Sequence, residues 1–255
     1  MRGCSVIEAG LWGFVGGSAL ILGALIAWFV RLPQRLIAGV MAIGSGVLIS
    51  AVAFDLMDEA FRQGGFDSTA IGFLGGALVY TVANVVISKR GARHRKRSGF
   101  NEEESQPHAD GGGGLAIAVG ALLDGIPESV VIGVSLLGGT GVSTVTVAAI
   151  FLSNVPEGLS SAAGMKKAGR GAGYVFGVWT GIAIASGLAA MLGNVALASA
   201  GPEVIAAVTA IAAGAILAML VDTMIPEATE ATHDYSGLIA VVGFLLAFIL
   251  TKSGG

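Results

Sequence analysis

Apolar residues fall into eight long runs, at roughly 9–30, 36–61, 68–88, 114–138, 142–165, 172–197, 203–227 and 236–251. Polar residues cluster between the runs instead of alternating within them. An uninterrupted apolar stretch of about 17–25 residues is the length of a helix that crosses a bilayer. The pattern therefore predicts an all-α polytopic membrane protein of eight transmembrane helices. All of it, 1–255, forms a single transmembrane domain, because no polar segment is long enough to fold alone. The first run is longer than a usual signal-peptide core and has no small-residue cleavage motif after it, so it reads as a span.

Composition agrees with the pattern. The chain is 54% hydrophobic and 12% charged, with a mean hydropathy of +0.82, against about 25% charged residues in soluble domains. Forty-one glycines suit closely approaching helices, and the pattern Gly169, Gly173, Gly177, Gly181 on span 6 suits either static packing or a sliding surface. The single Cys4 excludes an internal disulfide.

Charge sets the orientation. Eleven of the fourteen Lys and Arg lie in the loops after spans 1, 3 and 5, and basic loops stay in the cytoplasm. Both termini are then extracytoplasmic, in the cell (inner) membrane. The longest loop, 89–113, carries a basic block, an acidic triplet and a Gly run, and is expected to be a flexible cytoplasmic segment with too little apolar surface to fold. Its basic block reads as a topology signal and solvated face, in contact with the lipid bilayer rather than with nucleic acid. His94 and His108 in the same loop are too isolated to imply a metal site.

The candidate chemistry lies in the acids inside the spans. Span 2 holds Asp55, Asp58 and Glu59; span 4 holds Asp124 and Glu128; span 5 holds Glu157; span 7 holds Asp222 and Glu227. A carboxylate at a helix centre costs roughly 2.5–3.5 kcal/mol. No Lys or Arg lies in a span interior, so these groups are expected to be protonated, to face water, or to share a bound cation. Asp124 and Glu128 are four residues apart, and Asn154 and Glu157 three apart, so each pair shares a helix face. Pro127 and Pro156 directly precede the two glutamates, and Pro226 precedes Glu227. Proline breaks a helix and frees a carbonyl, which membrane helices tolerate where it lines a cavity or meets an ion. The acids fall into outer, central and inner groups along one path. FDLMDEA in span 2 is similar to VDTMIPEA in span 7, and LLDGIPES to FLSNVPEG, in spans of opposite direction. That predicts an inverted pseudo-repeat, spans 1–3 and 6–8 around spans 4–5.

These motifs resemble those of the ZIP (Zrt/Irt-like) divalent-metal transporters, above all bacterial members of the GufA type. The resemblance implies a metal centre between spans 4 and 5, with Glu128 and Glu157 at the family's glutamate positions. Asp124 and Ser153 stand where the family keeps histidines, Gly125 where it keeps an Asn, and Asn154 at a further ligand position. The expected metal set is thus Asp124, Glu128, Ser153, Asn154 and Glu157, with Asp55, Asp58, Glu59, Asp222 and Glu227 along the pathway. Zn, Mn or Fe is the substrate and there is no cofactor. Oxygen donors favour Mn, although Zn also accepts carboxylates. The resemblance also implies a homodimer, and transport by one helix bundle sliding against another. The alternative is a proton- or sodium-coupled carrier of another solute that uses the acids as a relay. No HExxH, Ser-His or Cys-His arrangement lies in the spans, so an enzyme is not expected.

Overall fold

The computed structural model describes residues 2–99, 105–109, 113–138 and 143–253. Its helices are α1 (Arg2–Phe29), α2 (Gln34–Ala51), α3 (Met57–Ile87), α4 (Gly114–Ser135), α5 (Thr144–Lys167), α6 (Ala172–Leu197), α7 (Pro202–Met219), α8 (Ile225–Thr232) and α9 (Ser236–Ser253). Among the described residues there is no strand. Six helical stretches are long and apolar enough to cross a membrane, and the fold is that of a multi-pass helical membrane protein.

Two expected boundaries differ. Spans 2 and 3 meet without an intervening loop: the helical stretch Gln34–Ala92 is two helices joined at a kink at Gly65 (φ 69°, ψ −172°), with a second non-helical glycine near its end, Gly91 (φ 105°, ψ 7°). Those angles are open to glycine and costly for other residues, so Gly64-Gly65 turns the chain without unwinding it. The segment expected as span 5 forms α5, but α5 is not among the six apolar stretches. Its polar face, Ser153, Asn154, Glu157, Ser160 and Ser161, is buried against neighbouring helices. A helix shielded by protein has no need of an apolar surface all round.

The helices pack around two cores. Leu20 and Ala24 of α1, Ile117 and Ala121 of α4, Leu159 and Met165 of α5, and Trp179 and Ile182 of α6 share one core. Met41 and Leu48 of α2, Tyr80 of α3, Ile216 and Met219 of α7, and Ala228 of α8 share the other. Helices α2 and α4 contribute to both: Ile37 of α2 reaches the first and Val131 of α4 the second. Glycines set the close approaches between the helices. A methyl group on Gly23 (α1) would strike the Val155 carbonyl of α5, and one on Gly158 (α5) would strike the Leu20 carbonyl of α1. Gly46 and Gly243 make the same reciprocal contact between α2 and α9. Gly173, Gly177 and Gly181 face open space instead, so that stripe does not pack within the chain.

The helical geometry widens to π-turns at Val52–Leu56, Ser88–Ala92 and Leu220–Met224. The first contains Asp55 and the third Asp222. Expected helix breaks at Pro127 and Pro156 do not occur: α4 and α5 stay helical through both residues. The lost hydrogen bond is local, and the Pro156 ring packs against Gly44 of α2. Pro226 does not break the chain either: it lies inside the continuous helical run Pro202–Thr232, directly after the π-turn Leu220–Met224.

Candidate functional site

The carboxylates of α4 and α5 meet where the two cores join. Asp124, Glu128 and Glu157 are 1%, 2% and 3% exposed. Asp124 and Glu128 reach this place from one face of α4, as the four-residue spacing requires.

The expectation that no cation from the chain offsets these acids is corrected by the segment 93–98, which follows the π-turn after α3 and folds back into the protein. Arg95 and Lys96 are 1% and 3% exposed. Arg95 Nε donates to Asp124 Oδ2 at 2.8 Å and its Nη2 to Oδ1 at 2.7 Å, a two-pronged arrangement that fixes both groups. Lys96 Nζ lies 2.8 Å from Glu157 Oε2 and 3.3 Å from Asp124 Oδ2. A burial argument from apolar surface alone predicts a solvated loop here. It fails because Asp124 and Glu157 compensate the charges that burial would otherwise forbid.

α3 completes the cluster. Tyr80 Oη donates to Asp124 Oδ1 at 2.7 Å and accepts from Arg95 Nη2 at 2.8 Å. Asn84 Oδ1 accepts from Arg95 Nη1 at 2.9 Å, while its Nδ2 donates to Asp222 Oδ2 at 3.1 Å. Burial disfavours the charge on Arg95, but the adjacent Asp124 outweighs it and holds the guanidinium above its ordinary proton affinity. Glu128 Oε1 is buried without a hydrogen-bond partner among the described residues, as is Lys96 Nζ apart from its two ion pairs.

The segment is tied to helices of both cores. Glu227 of α8 accepts from the Ser98 amide at 3.0 Å and from the Ser98 hydroxyl. Arg97 Nη1 pairs with Glu230 Oε2 at 2.5 Å. From α5, the Ser160 hydroxyl is 2.8 Å from the Lys96 carbonyl and 2.9 Å from Glu227 Oε1, and Ser161 Oγ donates to the Arg95 carbonyl. Gln34 of α2 exchanges two hydrogen bonds with Ser98.

The remaining expected site residues divide. Ser153 and Asn154 are buried beside the cluster, yet Ser153 Oγ donates to the Ile150 carbonyl at 2.9 Å and Asn154 Nδ2 to the Gly16 carbonyl at 3.1 Å. Asn154 also hydrogen-bonds the Glu128 side chain, which ties it to the cluster. Asp222 joins the cluster through Asn84, and Glu227 through Ser98. The outer acids stand apart: Asp58 and Glu59 are exposed and pair with Arg62 at 3.1 and 3.3 Å. Asp55 accepts only a long bond from Thr251, 3.4 Å. Among the described residues no hydrogen bond or ion pair links these three to the centre, and no three His, Cys, Asp or Glu side chains are near enough to enclose a metal ion. His108 is exposed, and the side chain of His233 and the acidic triplet 102–104 lie outside what is described.

Tyr80, Asn84, Arg95, Lys96, Ser98 and Ser160 were not predicted. Tyr80 and Asn84 carry the one available signal, two polar groups four residues apart on an otherwise apolar span.

Two helices thus present buried carboxylates to cations at the junction of the two cores. No protein-family model matches this chain, and no curated protein matches it.

Proposed function

We propose that the protein is a divalent-cation transporter of the ZIP type, moving Zn, Mn or Fe across the cytoplasmic membrane through the site between α4 and α5. The observation that carries this reading is the pair Asp124 and Glu157 closing on an ammonium group deep between the two cores. Asp124, Glu157 and the unpartnered Glu128 Oε1 supply the oxygen donors, which must draw closer together than they stand here to enclose an ion. Such a set favours Mn over softer-ligand metals and still admits Zn.

Eight crossings accompany this reading. As one straight rod, Gln34–Ala92 would be about 88 Å long at 1.5 Å per residue, far more than a bilayer about 30 Å thick. The turn at Gly65 divides it into two crossings. α5 supplies a further one at the shielded centre, and α7 with α8 make one together. The basic turns at 31–35 and 166–170 then lie in the cytoplasm and both termini outside. The inverted repeat is supported by the two π-turns that carry Asp55 and Asp222 in its paired segments.

Uptake of Mn, Zn, Fe and Cd into proteoliposomes tests the reading. Wild type is expected to exceed empty vesicles, and Glu157→Gln to fall at least tenfold below wild type. Uptake no greater than that of empty vesicles for every metal would overturn it. The relay reading draws on the chain of hydrogen bonds from Asp124 through Tyr80, Arg95 and Asn84 to the exposed Asp222. Metal-independent proton or sodium flux through the same vesicles would favour it.

A further inference from the structure

We propose that Lys96 is a built-in competitor of the transported cation. Its ammonium, carried in on the 93–98 segment, takes the position between Asp124 and Glu157 that a divalent ion must occupy, so ion binding requires the segment to leave. This rests on the transport reading, and deepens it by assigning the site a resident occupant.

Three observations carry the proposal. Position is the first: Lys96 Nζ contacts the two carboxylates at 2.8 and 3.3 Å, with the unpartnered oxygen of Glu128 on the same face of α4 as Asp124. Charge is the second. At rest the two cations of the segment, Arg95 and Lys96, match the two carboxylates they pair with, and when the segment leaves, Asp124 and Glu157 are left with a charge of −2, the complement of a divalent ion.

The third is the way the segment is held. The segment's anchors are polar throughout: the ion pairs of Arg95, Lys96 and Arg97, and hydrogen bonds to Glu227, Ser160, Ser161 and Gln34. It has no apolar side chain of its own to bury. It is bracketed by Gly91 (φ 105°) and Gly99 (φ 82°), conformations that glycine enters and leaves at little cost. Those contacts reach helices of both cores, so an ion that expels Lys96 also releases a bridge between them. The same step that fills the site frees those helices to move.

Binding of Mn2+ and Cd2+ to the purified full-length protein, by equilibrium dialysis, tests the competition. Lys96→Gln is expected to bind at least tenfold more tightly than wild type, while Lys96→Arg, which keeps the charge, stays within about threefold. Because Lys96→Gln leaves Glu157 buried without its partner and is at risk of misfolding, a second measurement uses wild type. Acylation of lysines by an N-hydroxysuccinimide ester, read by mass spectrometry, should modify the exposed Lys89 at once and spare Lys96 until saturating Mn2+ is added. If Lys96→Gln binds no more tightly, or if Mn2+ that saturates uptake leaves Lys96 protected, the competitor proposal falls and transport stands. If neither protein binds or takes up any metal, both readings fall.

Discussion

Asp124 receives hydrogen bonds from Tyr80 and from two nitrogens of Arg95, and an ion pair from Lys96. Breaking a buried pair by removing one partner leaves the other charge uncompensated, at about 3–5 kcal/mol. Asp124→Asn is therefore expected to lower the unfolding midpoint in detergent sharply. Arg95→Met in the same chain should recover part of the loss, because it removes the stranded charge. Tyr80→Phe deletes one donor to Asp124 and one acceptor from Arg95, and should cost about 1–3 kcal/mol. A double-mutant cycle over Asp124 and Arg95 with no coupling would mean that the pair does not form. The acids themselves were legible, because spacings of three and four residues place carboxylates on a shared face whatever surrounds them. Arg95 and Lys96 were not, since six bases between two apolar runs look the same whether they face water or fold inward. The deciding information is the excess of buried acid elsewhere in the chain, which a local reading of the loop does not weigh.

Helix pairing turns on where a side chain can fit. Gly23 and Gly158 each meet the partner helix's backbone, and a backbone cannot yield as a flexible side chain does. Gly158→Leu should therefore destabilise the protein strongly or prevent its accumulation, whereas Gly177→Leu, which meets open space, should leave the midpoint of the single chain within about 1 kcal/mol, the scale of a surface substitution. Thermal denaturation of the purified variants separates the two, and equal losses would contradict the packing. Apolar run length foretold the helices well. It could not foretell that spans 2 and 3 join through a glycine turn, because Arg62, Gln63 and Asp67 make that stretch as polar as a loop. Nor does it foretell α5's place at the centre: a helix with five polar residues along one face qualifies as a span only once its neighbours are known to cover that face.

Across the whole molecule, the 93–98 segment ties together helices from both cores. It binds α3 through Tyr80 and Asn84, α4 through Asp124, α5 through Glu157, Ser160 and Ser161, and α8 through Glu227 and Glu230. Protection from trypsin reports on this directly, because the segment and its approach offer six cleavable residues in two environments. Lys89, Arg90 and Arg93 are exposed; Arg95 and Lys96 are buried and Arg97 is half-buried. Within this stretch, cleavage of the folded protein should be confined to the first three. Glu227→Gln with Glu230→Gln removes the charge that holds Ser98 and Arg97 while leaving Asp124 and Glu157 intact, and should open Arg95, Lys96 and Arg97 to cutting several-fold faster. The loosening must begin at the α8 side, since the central ion pairs remain. Wild-type cleavage at Lys96 as fast as at Lys89 would place the basic block outside the protein and return the buried acids to a site without a cation of its own.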